Sequence, residues 1–146
     1  MSHCSYNHKT NYNIKGVTEM NTEKKSERPS KKAVLICTCS FACPSMKDIN
    51  FGELTERIRL ELPHDYMLLH PRLCEENGEN LMSDLLRDNV AYITPACKEE
   101  KQKKLLRDGF QRAGVKMESN WKPVSISFKT TEQAFNDVKK ALEEVL

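Results

Sequence analysis

Five of the six cysteines in this 146-residue chain lie shortly after short apolar runs, and three of them fall within seven residues. These five, called the thiol site below, are Cys37, Cys39, Cys43, Cys74 and Cys97. Thiolates are soft ligands that suit iron-sulfur clusters and zinc, and a cluster needs about four of them from different loops. The pattern therefore predicts a metal site, with all five thiols as candidate ligands of the metal or cofactor.

The spacing alone leaves the chemistry open. Cys-x-Cys and Cys-x-x-x-Cys are not the tight paired knuckles typical of structural zinc, so iron and zinc both remain possible. A thiol catalyst is the third hypothesis, because Cys39 and Cys43 lie one helical turn apart and could form a redox pair. Cys97, at the start of a predicted helix, would then be a low-pKa nucleophile.

A phosphate-binding site is disfavoured at the same place. Nucleotide and flavin sites use a glycine-rich first turn whose backbone N–H groups contact phosphate. No glycine occurs between Cys37 and Gly52. Four lysines of the predicted helix would instead lower the pKa of nearby thiols and offset the charge of a cluster: Lys98, Lys101, Lys103 and Lys104. The segment His70-Pro71-Arg72 could add a ligand or a hydrogen bond to a cluster.

Four segments have the composition of strands. Continuous apolar runs predict strands at residues 33–37, 66–69 and 90–94, and the first has the composition of a central strand covered on both faces. Pro95 is expected to end the third. Val124, Ile126 and Phe128 alternate with serines, which predicts an edge strand with one wet face.

Four helices are predicted between and after these strands. Apolar residues three and four apart indicate helices at residues 48–62, 78–88 and 98–113, and a last one from residue 130. Gly114 stands where a C-terminal cap is expected. Thr130 and Gln133 have the spacing of a capping box.

The alternation of strands and helices predicts a three-layer α/β domain with a mainly parallel four-stranded sheet flanked by helices. In a parallel sheet the carboxyl ends of the strands share one edge, so all five thiols can meet there. Ligands of open α/β sheets bind beyond that edge, where the strand order reverses.

Residues 1–31 are expected to form a disordered basic tail, and residues 32–146 the α/β domain. Residues 1–32 carry seven Lys and Arg against three Asp and Glu, whereas residues 33–146 carry 16 against 18. The basic excess belongs to the tail, so no nucleic-acid partner is predicted. His3, Cys4 and His8 in the tail are interpreted as incidental.

No apolar run approaches 18 residues and no signal-peptide pattern is present, so we expect a cytoplasmic protein without a membrane span. In that reducing setting cysteines are more often metal ligands or redox thiols than structural disulfides.

The order and context of four cysteines resemble a known family. Three segments are similar to the N-terminal iron-sulfur domain in the large, flavin-containing component of CoB-CoM heterodisulfide reductase and its bacterial relatives. They are AVLICTCS, Leu73-Cys74-Glu75 and VAYITPACKEEKQKKLLRDGFQRAGV. The similarity covers about residues 32–146. It implies a 4Fe-4S cluster on Cys37, Cys39, Cys74 and Cys97, and a non-catalytic electron-transfer role beside flavin- or iron-sulfur-containing subunits.

The chain also departs from this family. The family turn continues Cys-Gly-x-Asn, whereas here Ser40 follows Cys39 and an extra thiol, Cys43, appears. A family cysteine near the fourth strand has no counterpart in Lys122-Pro123-Val124-Ser125, so Cys43 is a candidate replacement ligand. Cys43 also makes the chain similar to the delta subunits of methyl-viologen-reducing hydrogenases. A zinc-stabilised interaction module and a thiol oxidoreductase stay as alternatives.

Overall fold

A computed structural model describes residues 28–145. Most of the predicted tail, with His3, Cys4 and His8, lies outside these residues. The strands are β1 (Lys31–Cys37), β2 (Tyr66–His70), β3 (Val90–Ala96) and β4 (Trp121–Ser125). The helices are α1 (Phe51–Glu61), α2 (Glu76–Leu85), α3 (Glu99–Ala113), the short α4 (Met117–Asn120) and α5 (Thr131–Glu144).

The four strands form one parallel sheet in the order β2-β1-β3-β4. The chain moves from β1 outward to β2, then crosses back over β1 to reach β3. The order therefore reverses between β1 and β3, which is where an open α/β sheet offers a crevice. The predicted fold class is confirmed.

Helices cover both faces of the sheet. On one face α1 and α5 pack together, and their apolar side chains bury Val34, Ile36 and Ile93. On the other face α2 and α3 pack together over Leu35 and Tyr92. Because consecutive residues of a strand point to opposite faces, the continuous apolar run of β1 supplies both cores.

Strand β3 continues through Pro95 to Ala96, so the prediction that it ends at Pro95 was wrong. Its pairing with β1 stops at Ile93, whereas its pairing with β4 runs on to Ala96. Among the strands of residues 28–145, β3 is therefore paired from Thr94 onward with β4 alone. A proline, which lacks a backbone N–H, is tolerated where a strand is open on one side.

The predicted alternation after β4 holds only in part. The strand runs from Trp121 to Ser125, and Val124 and Ile126 are buried. Phe128 is 76% exposed and has a left-handed φ of 58°. That backbone conformation breaks the strand period, so the expected third core residue points to solvent.

The predicted caps of α3 and α5 are confirmed, whereas α2 covers Glu76–Leu85 and not residues 78–88. Thr130 and Gln133 form a capping box at the start of α5. Gly114 ends α3 with a φ of 71°, a conformation that glycine adopts without a Cβ clash. Within residues 28–145 no helix combines the length and the apolar character needed to cross a membrane.

Candidate thiol site

The three loops that carry the thiols leave the same edge of the sheet. Cys37 ends β1, and Cys39 and Cys43 follow it; Cys74 follows β2, and Cys97 follows β3. At this edge β1 pairs with β2 as far as Cys37 opposite His70, while β3 pairs only with β4. The pairing of β1 with β3 ends at Val34 and Ile93. The thiol loops leave this edge at the point where the strand order reverses.

The turn after β1 has an unusual backbone. Cys39, Ser40 and Phe41 have left-handed φ values of 49°, 56° and 58°. A left-handed conformation costs an L-residue about 1–2 kcal/mol, and none of these residues is a glycine. Strained backbone of this kind concentrates at functional sites. Sequence reasoning missed this turn, because residues that favour the left-handed conformation are not found at these three positions.

The end of β2 holds this turn in place. The backbone N–H of Thr38 donates to the carbonyl of His70 at 3.0 Å, and that of Ser40 donates to the carbonyl of Pro71 at 2.9 Å. Arg72 Nε also donates to Ser40 Oγ at 3.3 Å. The loops that carry Cys39 and Cys74 are therefore fastened to each other.

All five thiols of the described region are free. Cys37 is buried and packs with the α2/α3 core, because it shares a strand face with Ala33 and Leu35. Cys39, Cys43 and Cys97 are half-buried and pack against the α1/α5 core. Cys74, also half-buried, follows Leu73, a residue of the α2/α3 core. The thiols are thus distributed over both faces of the sheet at this edge.

The thiols are close enough to influence each other's ionisation. Burial raises the pKa of Cys97, and the neighbouring Cys37 and Cys74 raise it further against the opposing charge of Lys101. Burial and Cys37 also raise the pKa of Cys74. These mutual effects connect thiols from all three loops.

Cys39 and Cys43 interact, and their pKa values shift in opposite directions. Burial and the neighbouring Cys43 raise the pKa of Cys39, while Arg72 opposes the rise. The pKa of Cys43 is lowered, first by a hydrogen bond from the Ser45 hydroxyl, whose Oγ lies 3.1 Å from Cys43 Sγ. Lys101 lowers the pKa of Cys43 as well.

Lys101 lowers the pKa of Cys97 and of Cys43, which is the direction predicted for the lysines of α3. At Cys97, burial and the two neighbouring thiols outweigh Lys101, so the pKa of this thiol is raised. A raised pKa does not favour Cys97 as the low-pKa nucleophile of the thiol-catalyst hypothesis. Arg72, which the sequence suggested only as part of a loop, acts on Cys39 and Cys74 while it pairs with Glu75 at 2.7 Å. His70 Nδ1 accepts the backbone N–H of Arg72 at 3.1 Å and so supports this loop.

A buried polar network adjoins Cys97. Gln102 of α3 is 1% exposed, and its Nε2 donates to the carbonyl of Cys97 at 2.6 Å and to that of Val124 at 3.3 Å. Its Oε1 accepts the hydroxyl of Thr94 at 2.6 Å, and Trp121 Nε1 donates to Thr94 Oγ1 at 2.8 Å. Sequence reasoning missed Gln102. The signal was available, because Gln102 precedes Leu106 and Phe110 on the buried stripe of the same helix.

In residues 28–145 no group of three or more His, Cys, Asp or Glu side chains is arranged around a position for one metal ion. A zinc ion at about 2.3 Å from each sulfur requires four ligands gathered tightly around one point. A four-iron cluster separates its ligand sulfurs more widely than one ion does. The donor chemistry of this site, soft thiols from three loops, suits an iron-sulfur cluster or zinc, and the arrangement of the described residues supports neither over the other.

Comparison of the chain with models of known protein families gave no match, and comparison with curated proteins gave none either.

Proposed function

We propose that this protein is a small electron-transfer protein that holds one 4Fe-4S cluster at the carboxyl edge of its sheet. The observation that supports this proposal is that five free thiols lie at or just after the carboxyl ends of β1, β2 and β3, at one edge of the sheet. Thiols that share a site resist joint ionisation. A metal cofactor removes that conflict, because it binds the thiolates and releases their protons.

Each part of the site has a role in this proposal. Cys39, Cys74 and Cys97 are the preferred ligands, and Cys37 and Cys43 compete for the fourth place. The cluster, when bound, supplies one-electron redox chemistry. The protein residues hold it and set its potential: Arg72 and Lys101 place positive charge beside the thiols, and the two apolar cores limit the access of water.

The partners we propose are flavin- or iron-sulfur-containing redox subunits, as in assemblies of the heterodisulfide reductase kind, in the cytoplasm. Phe41 supports a docking surface at this edge: it is 70% exposed on the strained turn, with its ring against Phe51. Exposed aromatic residues are enriched where proteins bind each other.

Serine replacement tests the site. Cys74→Ser and Cys97→Ser are each expected to remove the visible absorption and most of the iron from protein prepared without oxygen, because each removes the thiol of one loop. Cys4→Ser is the control and is expected to keep both. Iron and spectrum unchanged in Cys74→Ser or Cys97→Ser would refute the proposed site.

The pair Cys39 and Cys43 favours one second candidate, a thiol oxidoreductase. The two thiols interact, and Cys43 has the lowered pKa expected of the attacking thiol. For this function, metal-free protein should exchange with a small disulfide in a reaction that needs Cys43 and yields a Cys39–Cys43 disulfide. Equal exchange rates for the wild type and Cys43→Ser would exclude it.

A further inference from the structure

Gln102 is one of four polar residues buried in residues 28–145, and every hydrogen-bonding group of its side chain is used. Both N–H groups of its amide meet backbone carbonyls, those of Cys97 and Val124, and its oxygen meets the hydroxyl of Thr94. Only this orientation of the amide satisfies all three partners, since the two carbonyls are acceptors and need N–H donors.

The network is directional and joins three elements. Trp121 on β4 donates to Thr94 on β3, which donates to Gln102 on α3. Gln102 in turn donates to the carbonyl of Cys97, in the loop that joins β3 to α3. The same amide also donates to the carbonyl of Val124 on β4. The Cys97 loop is thus bound to the part of β3 and β4 that lies beyond the pairing with β1.

We propose that Gln102 is a positioning residue for the thiol site: its buried amide fixes the Cys97 carbonyl and thereby holds the Cys97 thiol at the carboxyl edge of the sheet. The role of Gln102 in ordering a cluster ligand rests on the proposed iron-sulfur function. The thiol and the hydrogen-bonded carbonyl belong to the same residue, so greater mobility of the carbonyl also makes the sulfur more mobile. A ligand held in advance does not have to be ordered when the cofactor binds.

The test measures how fast each thiol of the full-length, reduced and chelator-treated chain reacts with iodoacetamide, read by mass spectrometry of the peptides. Gln102→Met has nearly the shape of glutamine but donates no hydrogen bond. We expect the half-buried Cys97 to react roughly tenfold faster in this variant, because the cost of releasing its loop falls. Cys43, in the turn after β1, serves as the internal reference and should keep its rate.

Two further variants separate positioning from general loosening. Gln111→Met changes an exposed glutamine of the same helix and should leave all rates unchanged. Thr94→Val with Gln102→Met removes the donor and the acceptor of one bond together, so no Thr94 hydroxyl is left without its acceptor, while the half-buried Trp121 loses the acceptor of its Nε1. Cys97 should still react fast in the double variant, because its carbonyl remains without the amide.

An unchanged rate at Cys97 in a folded Gln102→Met chain would overturn the proposal. So would an equal rise at Cys97 and Cys43, or a return of the Cys97 rate to the wild-type value in the double variant, since both indicate a purely structural role. Iron content is measured separately on anaerobic preparations. A chain that binds no iron would contradict the proposed function and leave the alkylation result standing.

Discussion

Single residues differ in pKa within the thiol site. Burial separates Cys39, Cys74 and Cys97, whose pKa values are raised, from Cys43, whose pKa is lowered by the hydroxyl of Ser45. The sequence identified all five as candidates, and under the thiol-catalyst hypothesis it placed the low pKa at Cys97, whereas the lowered pKa belongs to Cys43. It shows which charges are near along the chain, whereas the depth of burial and the contacts with other loops depend on the folded structure.

Replacement of Ser45 tests the low pKa of Cys43. In Ser45→Ala the thiolate loses the hydroxyl that lies 3.1 Å from it, so its pKa should rise. We expect Cys43 to react with iodoacetamide roughly threefold more slowly at pH 7, because the thiolate is the reactive form. Ser83→Ala, a change in α2 away from the thiol loops, is the control. A rate at Cys43 that does not fall would show that Ser45 has no such effect.

The raised thiol pKa values predict how the stability of the metal-free protein depends on pH. A folded-state pKa above the unfolded value means that the folded chain holds the proton more tightly. The stabilisation is present below about pH 8.5, the ordinary thiol value, and is lost as pH rises through the raised folded values. Thermal unfolding of the reduced, metal-free wild type should thus shift down by a few degrees above that pH.

The triple variant of Cys39, Cys74 and Cys97 to serine isolates this thiol contribution, because serine does not ionise in this range. Its melting temperature should fall less than that of the wild type over the same pH interval, measured by circular dichroism. Parallel curves for the two proteins would contradict the assigned direction of the three shifts.

At the level of secondary-structure elements, the packing of the helices against the loops determines the positions of the thiols. Helix α2 starts directly after the Cys74 loop and packs so closely that a Cβ on Gly78 would lie 2.4 Å from the carbonyl oxygen of Leu73. The sequence predicted this helix and its apolar side but not the close approach. Periodicity shows which face of a helix is buried, whereas the distance between backbones depends on the packing of both partners.

Gly78→Ala is therefore expected to push the Leu73 backbone and the adjoining Cys74 out of position, at a cost of about 1–3 kcal/mol in the free energy of unfolding. Gly109→Ala is the matched control, because its Cβ would meet the end of the flexible Met82 side chain, and alanine favours a helix. Urea denaturation should show the larger loss for Gly78→Ala. A larger loss for Gly109→Ala would contradict this account.

On the scale of the whole molecule, the sequence predicted the architecture well and the site less completely. Continuous apolar runs, helical periodicity and two caps were enough for the parallel sheet, since all these signals are local. The extension of β3 through Pro95, the left-handed turn at Cys39–Phe41 and the buried amide of Gln102 were missed. Each depends on which strand or loop lies beside it, and that information is tertiary.

Iron and acid-labile sulfide, measured with zinc on protein purified without oxygen, test the central claim most directly. The proposed function predicts a coloured protein with about four irons and about four sulfides per chain and no stoichiometric zinc. A colourless protein that contains one zinc ion per chain, or no metal at all after reconstitution with iron and sulfide, would contradict it.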